Sequence, residues 1–186
     1  MAREAPRACP PSDTGGREVA ALPGPIGAPS ALSMVVLTIS VWWQQMLEDV
    51  GTASEVVLAT LTYDHMALTS VLVRRLRGRA PFVATVPVDK ESFEKGDAPR
   101  ERARLRELRD AGAEVYLCRG SPPHGRLHMK ALCVNRRTVY AGSANFTEKS
   151  SANLELVYKL VGPPVTQVRE QFLDAQNSRG RLWDGA

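Results

Sequence analysis

From residue 54 onward the chain alternates short apolar runs with stretches of helical period. Residues 56–61 form an apolar run that predicts a buried strand. Asp64 is placed to cap a helix over residues 65–77, with Leu68, Val71, Leu72 and Leu76 on one face and Gly78 as its stop. Residues 82–88 predict a second strand, whose end Pro87 marks. Asp97 and Pro99 open a second helix that Gly112 closes, with Leu105 and Leu108 facing inward. Strands are expected over residues 114–118, 127–134, 139–141 and 154–160. Pro163 and Pro164 then start a terminal helix with Val165, Val168, Phe172 and Leu173 on one side. Strand–helix–strand–helix followed by several strands implies an α/β fold, a mixed-sheet sandwich flanked by helices. The sequence shows no internal repeat.

The two ends read differently. Residues 1–30 hold Pro6, Pro10, Pro11, Pro23, Pro25 and Pro29 and bury too little to offset their ordering entropy, which is the mark of a disordered Pro/Gly-rich tail. Its arginines suit a transit peptide, but Glu4, Asp13 and Glu18 do not. Farther on, Leu32, Val35, Val36, Ile39, Trp43, Met46 and Leu47 recur at helical spacing. Residues 31–53 are therefore expected to be an amphipathic helix or linker packed on the domain. Trp42 and Trp43 would also suit a peripheral membrane contact, and the helix a partner-docking surface. The domain itself is expected over residues 54–176, with 177–186 a C-terminal tail docked by Trp183.

Composition narrows the class. A chain of 186 residues, 44% hydrophobic and 24% charged, is one domain with a core that needs neither disulfide nor metal to stand. No apolar run reaches the ~18 residues that span a bilayer. Cys9, Cys118 and Cys133 are too scattered for a disulfide framework or a zinc knuckle. An intracellular, reducing compartment fits them, with cytoplasm or an organellar surface left open. Cys118 and Cys133 lie in apolar strand contexts and read as buried, inert thiols.

Charge points to an anionic partner. Residues 1–53 hold more acidic than basic side chains, so the remainder carries more than the whole net charge of +4. Residues 115–147 contain no Asp or Glu, yet include Arg119, Arg126, Lys130, Arg136 and Arg137. Arg100, Arg102, Arg104, Arg106 and Arg109 spread around their helix and read as a solvated surface.

The candidate chemistry lies in residues 124–155. His128 and Lys130 are two apart on an expected strand, so both point the same way. Ser143 and Asn145 repeat that spacing after the next strand, and Gly142 removes a side chain where a ligand would approach. An imidazole is a nucleophile or general acid; an ammonium, a hydroxyl and an amide are donors suited to phosphoryl oxygens. Asn153 and Glu155 share one face downstream, and a carboxylate there would hold the imidazole in one tautomer. His65, at the end of the first strand, is a candidate to line the cleft. His124 is a candidate rim group or a satisfied loop histidine.

These residues resemble the phospholipase D superfamily signature: His128, Lys130, then Asn135, then Gly142, Ser143 and Asn145, at matching spacings. The chain is similar to the branch of bacterial endonucleases and mitochondrial cardiolipin hydrolases, over roughly residues 54–176. One position departs, since Asn135 stands where the family has Asp. Asn keeps one acceptor oxygen and loses the charge. If that Asp braces a loop, Asn serves; if its charge tunes the site, activity falls. The resemblance implies hydrolysis of a phosphodiester, in a phospholipid or a nucleic acid, through a phosphohistidine on His128. A second imidazole would act as acid and base, with Lys130, Asn145 and Ser143 on the phosphate and Glu155 orienting His128. It implies no metal and no cofactor. A single motif implies a homodimer with its site across the two-fold axis. The alternative is a catalytically impaired scaffold that binds phosphate or nucleic acid.

Overall fold

The computed structural model describes residues 33–95, 99–120 and 125–185. The expectations for residues 1–30, Leu32, Asp97 and His124 fall outside them. One mixed sheet organises the chain, in the order β1-β7-β6-β5-β2-β3-β4-β8. Its strands are β1 Ser33–Leu37, β2 Glu55–Thr60, β3 Val83–Asp89, β4 Glu114–Cys118, β5 Lys130–Val134, β6 Thr138–Gly142, β7 Val157–Val161 and β8 Gly180–Leu182. The helices are α1 Ile39–Thr52, α2 Met66–Leu76, α3 Lys90–Lys95, α4 Pro99–Asp110, α5 Glu148–Ser151 and α6 Pro164–Arg179. β2, β3 and β4 run parallel, and every other pairing is antiparallel.

Strand alternation decides the two layers. Val56 and Leu58 face a core shared with α1, α2 and α4, built on Trp42, Met46, Leu68, Leu72, Leu105 and Leu108. Val57 and Ala59 face the opposite layer, where Val165 and Phe172 of α6 cover Ala131, Cys133 and Val139. The sandwich read from the sequence is thus a central sheet with helices on both faces.

The amino-terminal segment corrects its expectation. Residues 33–37 are a strand, not the start of a helix, and pair with all five residues of β7. Met34, Val35 and Val36 favour the extended state, and Thr38 is itself extended, so α1 begins only at Ile39. Trp42 is fully buried and donates its indole N–H to the Tyr158 carbonyl at 3.2 Å; Trp43 is 7% exposed. Both rings thus pack into the core instead of presenting a face to a membrane. Asp49 of α1 accepts hydrogen bonds from Tyr140 and Lys159, at 2.5 and 2.9 Å. Residues 33–53 are thus an integral part of the folded unit.

The other end differs too. β8 pairs with β4, and Trp183, 3% exposed, packs edge-on to Phe93 beneath Arg109. The expected tail is an edge strand with an anchor. Cys118 and Cys133 are buried, and burial pushes their thiols up to about 12 and about 11. α4 is less solvated than expected: Arg102 reaches the Phe93 carbonyl at 3.1 Å, and Glu101 is buried.

Candidate functional site

Strand register gathers the signature at one end of the sheet. Lys130 opens β5 opposite Thr60, the last residue of β2. One step beyond the Ala131–Ala141 pair brings Gly142 to the same level, and Gly142 pairs with Val157 at the start of β7. The expected strand over 127–134 starts only at Lys130, so His128 sits on irregular chain before it and is exposed. The two side chains still meet. Lys130 Nζ lies 3.3 Å from both His128 Nδ1 and His128 Nε2, and it donates to the His128 carbonyl at 3.3 Å. Partial burial holds the Lys130 ammonium below its ordinary pKa, against the opposing pull of Glu155.

Asp89 holds the chain entering this pair. It is 1% exposed at the end of β3. Its Oδ2 accepts the Leu127 N–H at 2.9 Å, and its Oδ1 accepts from Arg126 Nη2 at 2.9 Å and from the Ser92 N–H at 2.7 Å. Sequence reasoning missed it. Its one local signal is the Asp-x-x-Ser spacing that caps α3.

The second half of the signature is fixed by its neighbours. The Ser143 N–H donates to the Leu156 carbonyl at 2.9 Å; Ser143 Oγ accepts the Leu156 N–H at 3.1 Å and donates to Glu155 Oε2. Asn153 Nδ2 donates to Glu155 Oε1 at 3.2 Å. Glu155 therefore holds Ser143; among the described residues it makes no hydrogen bond to His128. A Cβ on Gly142 would overlap the Leu156 carbonyl and Val157, so close packing of β6 on β7 requires this glycine. The amide oxygen of Asn145 is buried without a hydrogen-bond partner among the described residues. Such a group costs roughly 1–3 kcal/mol unless a ligand or water supplies a donor. The loop after Asn145 is tied down as well. Asp64 and His65 donate their N–H groups to the Phe146 carbonyl, and Asp64 Oδ1 accepts from the Glu148 N–H at 2.8 Å.

Two sequence candidates lie elsewhere. His65, not Asp64, caps α2: its Nδ1 accepts the Leu68 N–H at 3.2 Å, and its ring stacks on Trp43 at 3.7 Å. It is 6% exposed, and burial lowers its pKa, so it is a structural histidine and does not line the cleft. Asn135 lies past the far end of β5, about 17 Å along the strand from Lys130. Its backbone is left-handed at φ 51°, a conformation Asn tolerates. Its Oδ1 accepts from the Ser54 N–H, the Ser54 hydroxyl and the Glu55 N–H.

A cavity of about 320 Å³ opens beside the Asn145 loop, lined by Thr62, Asp64, Glu101 and Thr147 among others. Burial pushes the Glu101 carboxyl up to about 7, although the Tyr63 N–H donates to its Oε1 at 2.8 Å. Among the described residues, no group of three or more His, Cys, Asp or Glu is placed to hold a metal ion.

A family model described as "Cardiolipin synthase, PLD-like domain" matches residues 53–175, and the signature lies wholly within that span. The chain belongs to the phospholipase D superfamily. Solved structures with a similar fold agree. Nuc of Salmonella typhimurium, described as a phospholipase D family member, matches with a TM-score of 0.69 at 18% identity, over 82% of this chain and 99% of its own. NucT of Helicobacter pylori matches at 0.65 and 16%, over 82% and 99%. Phosphatidylserine synthase of Haemophilus influenzae matches at 0.60 and 13%, over 85% of this chain and 41% of its own. At these identities the likeness is one of fold. No curated protein matches the sequence. Among the described residues, no helix of this phospholipase D-like chain is long and apolar enough to cross a membrane.

Proposed function

We propose that the chain is a phosphodiesterase with His128 as nucleophile. The observation that carries this reading is the contact between the exposed His128 imidazole and the Lys130 ammonium, beside Ser143 and Asn145. His128 attacks phosphorus and a P–N bond forms. The bridging oxygen departs with a proton from a second imidazole, which then takes a proton from water as that water displaces His128. Lys130 and Asn145 hold the non-bridging oxygens, and Ser143 fixes the loop that carries Asn145.

The second imidazole comes from a second copy of the chain. Among the described residues the other histidine is the buried cap His65. Leu154 and Leu156 stand fully and largely exposed on either side of Glu155, an apolar rim that suits a symmetric partner. The substrate is an anionic phosphodiester, in a phospholipid or a nucleic acid. Asn135 favours activity over an impaired scaffold, since its oxygen makes the bracing bonds and its side chain lies far from the imidazole.

The test is hydrolysis of a chromogenic phosphodiester by the purified chain in excess EDTA, beside His128→Ala. Turnover that survives EDTA and falls at least ~10³-fold in the variant is expected. A folded dimer that turns nothing over, with or without Asn135→Asp, would reject the reading.

A further inference from the structure

Beside His128 lies a second cavity, of about 280 Å³. Three arginines, Arg119, Arg126 and Arg179, line it together with Leu127, His128 and Met129. Among the described residues, no Asp or Glu lines it.

The backbone builds this arrangement. The Gly120 N–H donates to the Gly125 carbonyl at 3.0 Å, and the Arg119 N–H donates to the Arg179 carbonyl at 3.2 Å. A Cβ on Gly120 would overlap the backbone of Gly125 and Arg126, so only glycine lets the two chain segments touch. That pinch brings the backbone after Arg119 against the backbone of Arg126. Arg126 is held in place by Asp89 and by Ser92, yet remains 42% exposed. Arg119 is exposed and makes no ion pair among the described residues. Leu127, 4% exposed, adds a low-dielectric wall that strengthens any pairing made there. Clustered guanidiniums suit a phosphate, which they grip through paired N–H donors. Because His128 lines the same cavity, an anion bound there is adjacent to the phosphorus that His128 would attack.

We propose that this cavity is a second phosphate subsite, which selects substrates carrying another phosphate one short linker from the scissile one. The inference rests on the phosphodiesterase reading of His128 and narrows its substrate class. Two sources offer this chemistry: an oligonucleotide, and a lipid whose headgroup joins two phosphates.

Binding separates the subsite from catalysis. The full chain carrying His128→Asn would be titrated by calorimetry with the thymidine dinucleotide TpT, with and without a 5′-phosphate. A second series would use short-chain phosphatidylglycerol and short-chain diphosphatidylglycerol. The second phosphate is expected to tighten Kd about tenfold in at least one series, and that series names the source. In Arg119→Gln, and further in Arg119→Gln with Arg179→Gln, the ratio of the two affinities falls toward one. Arg106→Gln on α4 removes the same charge at a distance and leaves the ratio as it was. No gain in either series, or a gain that survives the double arginine variant, would overturn the subsite. Neither result depends on turnover, so the chromogenic assay tests the phosphodiesterase reading separately.

Discussion

Asn135 Oδ1 lies 2.8 Å from the backbone nitrogen of Ser54, the residue that leads into β2. The same oxygen takes the Glu55 N–H at 3.1 Å, so one acceptor closes the turn between β5 and β6 onto the start of β2. The position asks for an acceptor, and a carboxylate there would stand beside Glu55, which already pairs with Arg136 and Arg169. Asn135→Asp is accordingly expected to change kcat/KM less than about threefold. Asn135→Ala strands two amide hydrogens and should cost about 1–3 kcal/mol in urea denaturation. A large gain of activity in the Asp variant would show that the lost carboxylate mattered.

Ser143 Oγ links the Leu156 N–H to the Glu155 carboxylate. Ser143→Ala removes both bonds, lowering stability by about 1 kcal/mol, or roughly 2–4 °C in melting temperature for a chain of this size. It also releases the Asn145 loop, so kcat should drop about tenfold or more while KM rises less. Thermal melts and steady-state kinetics on the same preparation check both. A kinetic loss with no change in melting temperature would reject the positioning role.

The Glu101 carboxyl titrates in the folded state at about 7, against an ordinary value near 4.5, because it is buried. Between those values the folded chain holds a proton that the unfolded chain has released. Stability is therefore fullest below about pH 4.5 for this group and is lost as pH rises toward 7, by at most about 3 kcal/mol. Glu101→Gln keeps an acceptor for the Tyr63 N–H and carries no titrating group. Its advantage over the natural chain should grow from pH 5 to pH 8 in urea melts; parallel profiles would count against this assignment.

Leu154 and Leu156 flank Glu155 and face solvent in the single chain. Replacing both with Glu should leave the melting temperature of the monomer near its starting value, because neither side chain is buried there. Sedimentation should show the proposed dimer shifted to monomer, and phosphodiester turnover should fall with it by about 10²-fold. A monomer that retains full turnover would remove the second-copy imidazole from the mechanism.

Much of the site is legible because its spacing is local. His128 to Asn145 spans two adjacent strands, and the alternation of β2 places Val57 and Val56 in separate layers without any knowledge of the rest. The errors have the opposite character. Residues 33–37 satisfy helical spacing as well as strand preference, and only pairing with β7, more than a hundred residues away, decides between them. β8 is three residues long, too short to show alternation. Asp89 serves Arg126 and Leu127, 37 and 38 residues downstream, and no window along the chain shows that link. His65 reads as chemical because it follows a strand, yet its stacking partner Trp43 comes from the segment expected to lie outside the domain as a packed helix or linker.

β1 and β8, the first and last strands of the described chain, form the two opposite borders of the sheet. Seven strand spacings separate them, about 34 Å. A tether attached before β1 and another after β8 would therefore pull across the strands, loading all seven pairings in series. Strands loaded this way peel apart one hydrogen bond at a time rather than shearing together. The three-residue β4–β8 pairing is the first link expected to yield, and the signature row between β2 and β7 would stay whole until after it.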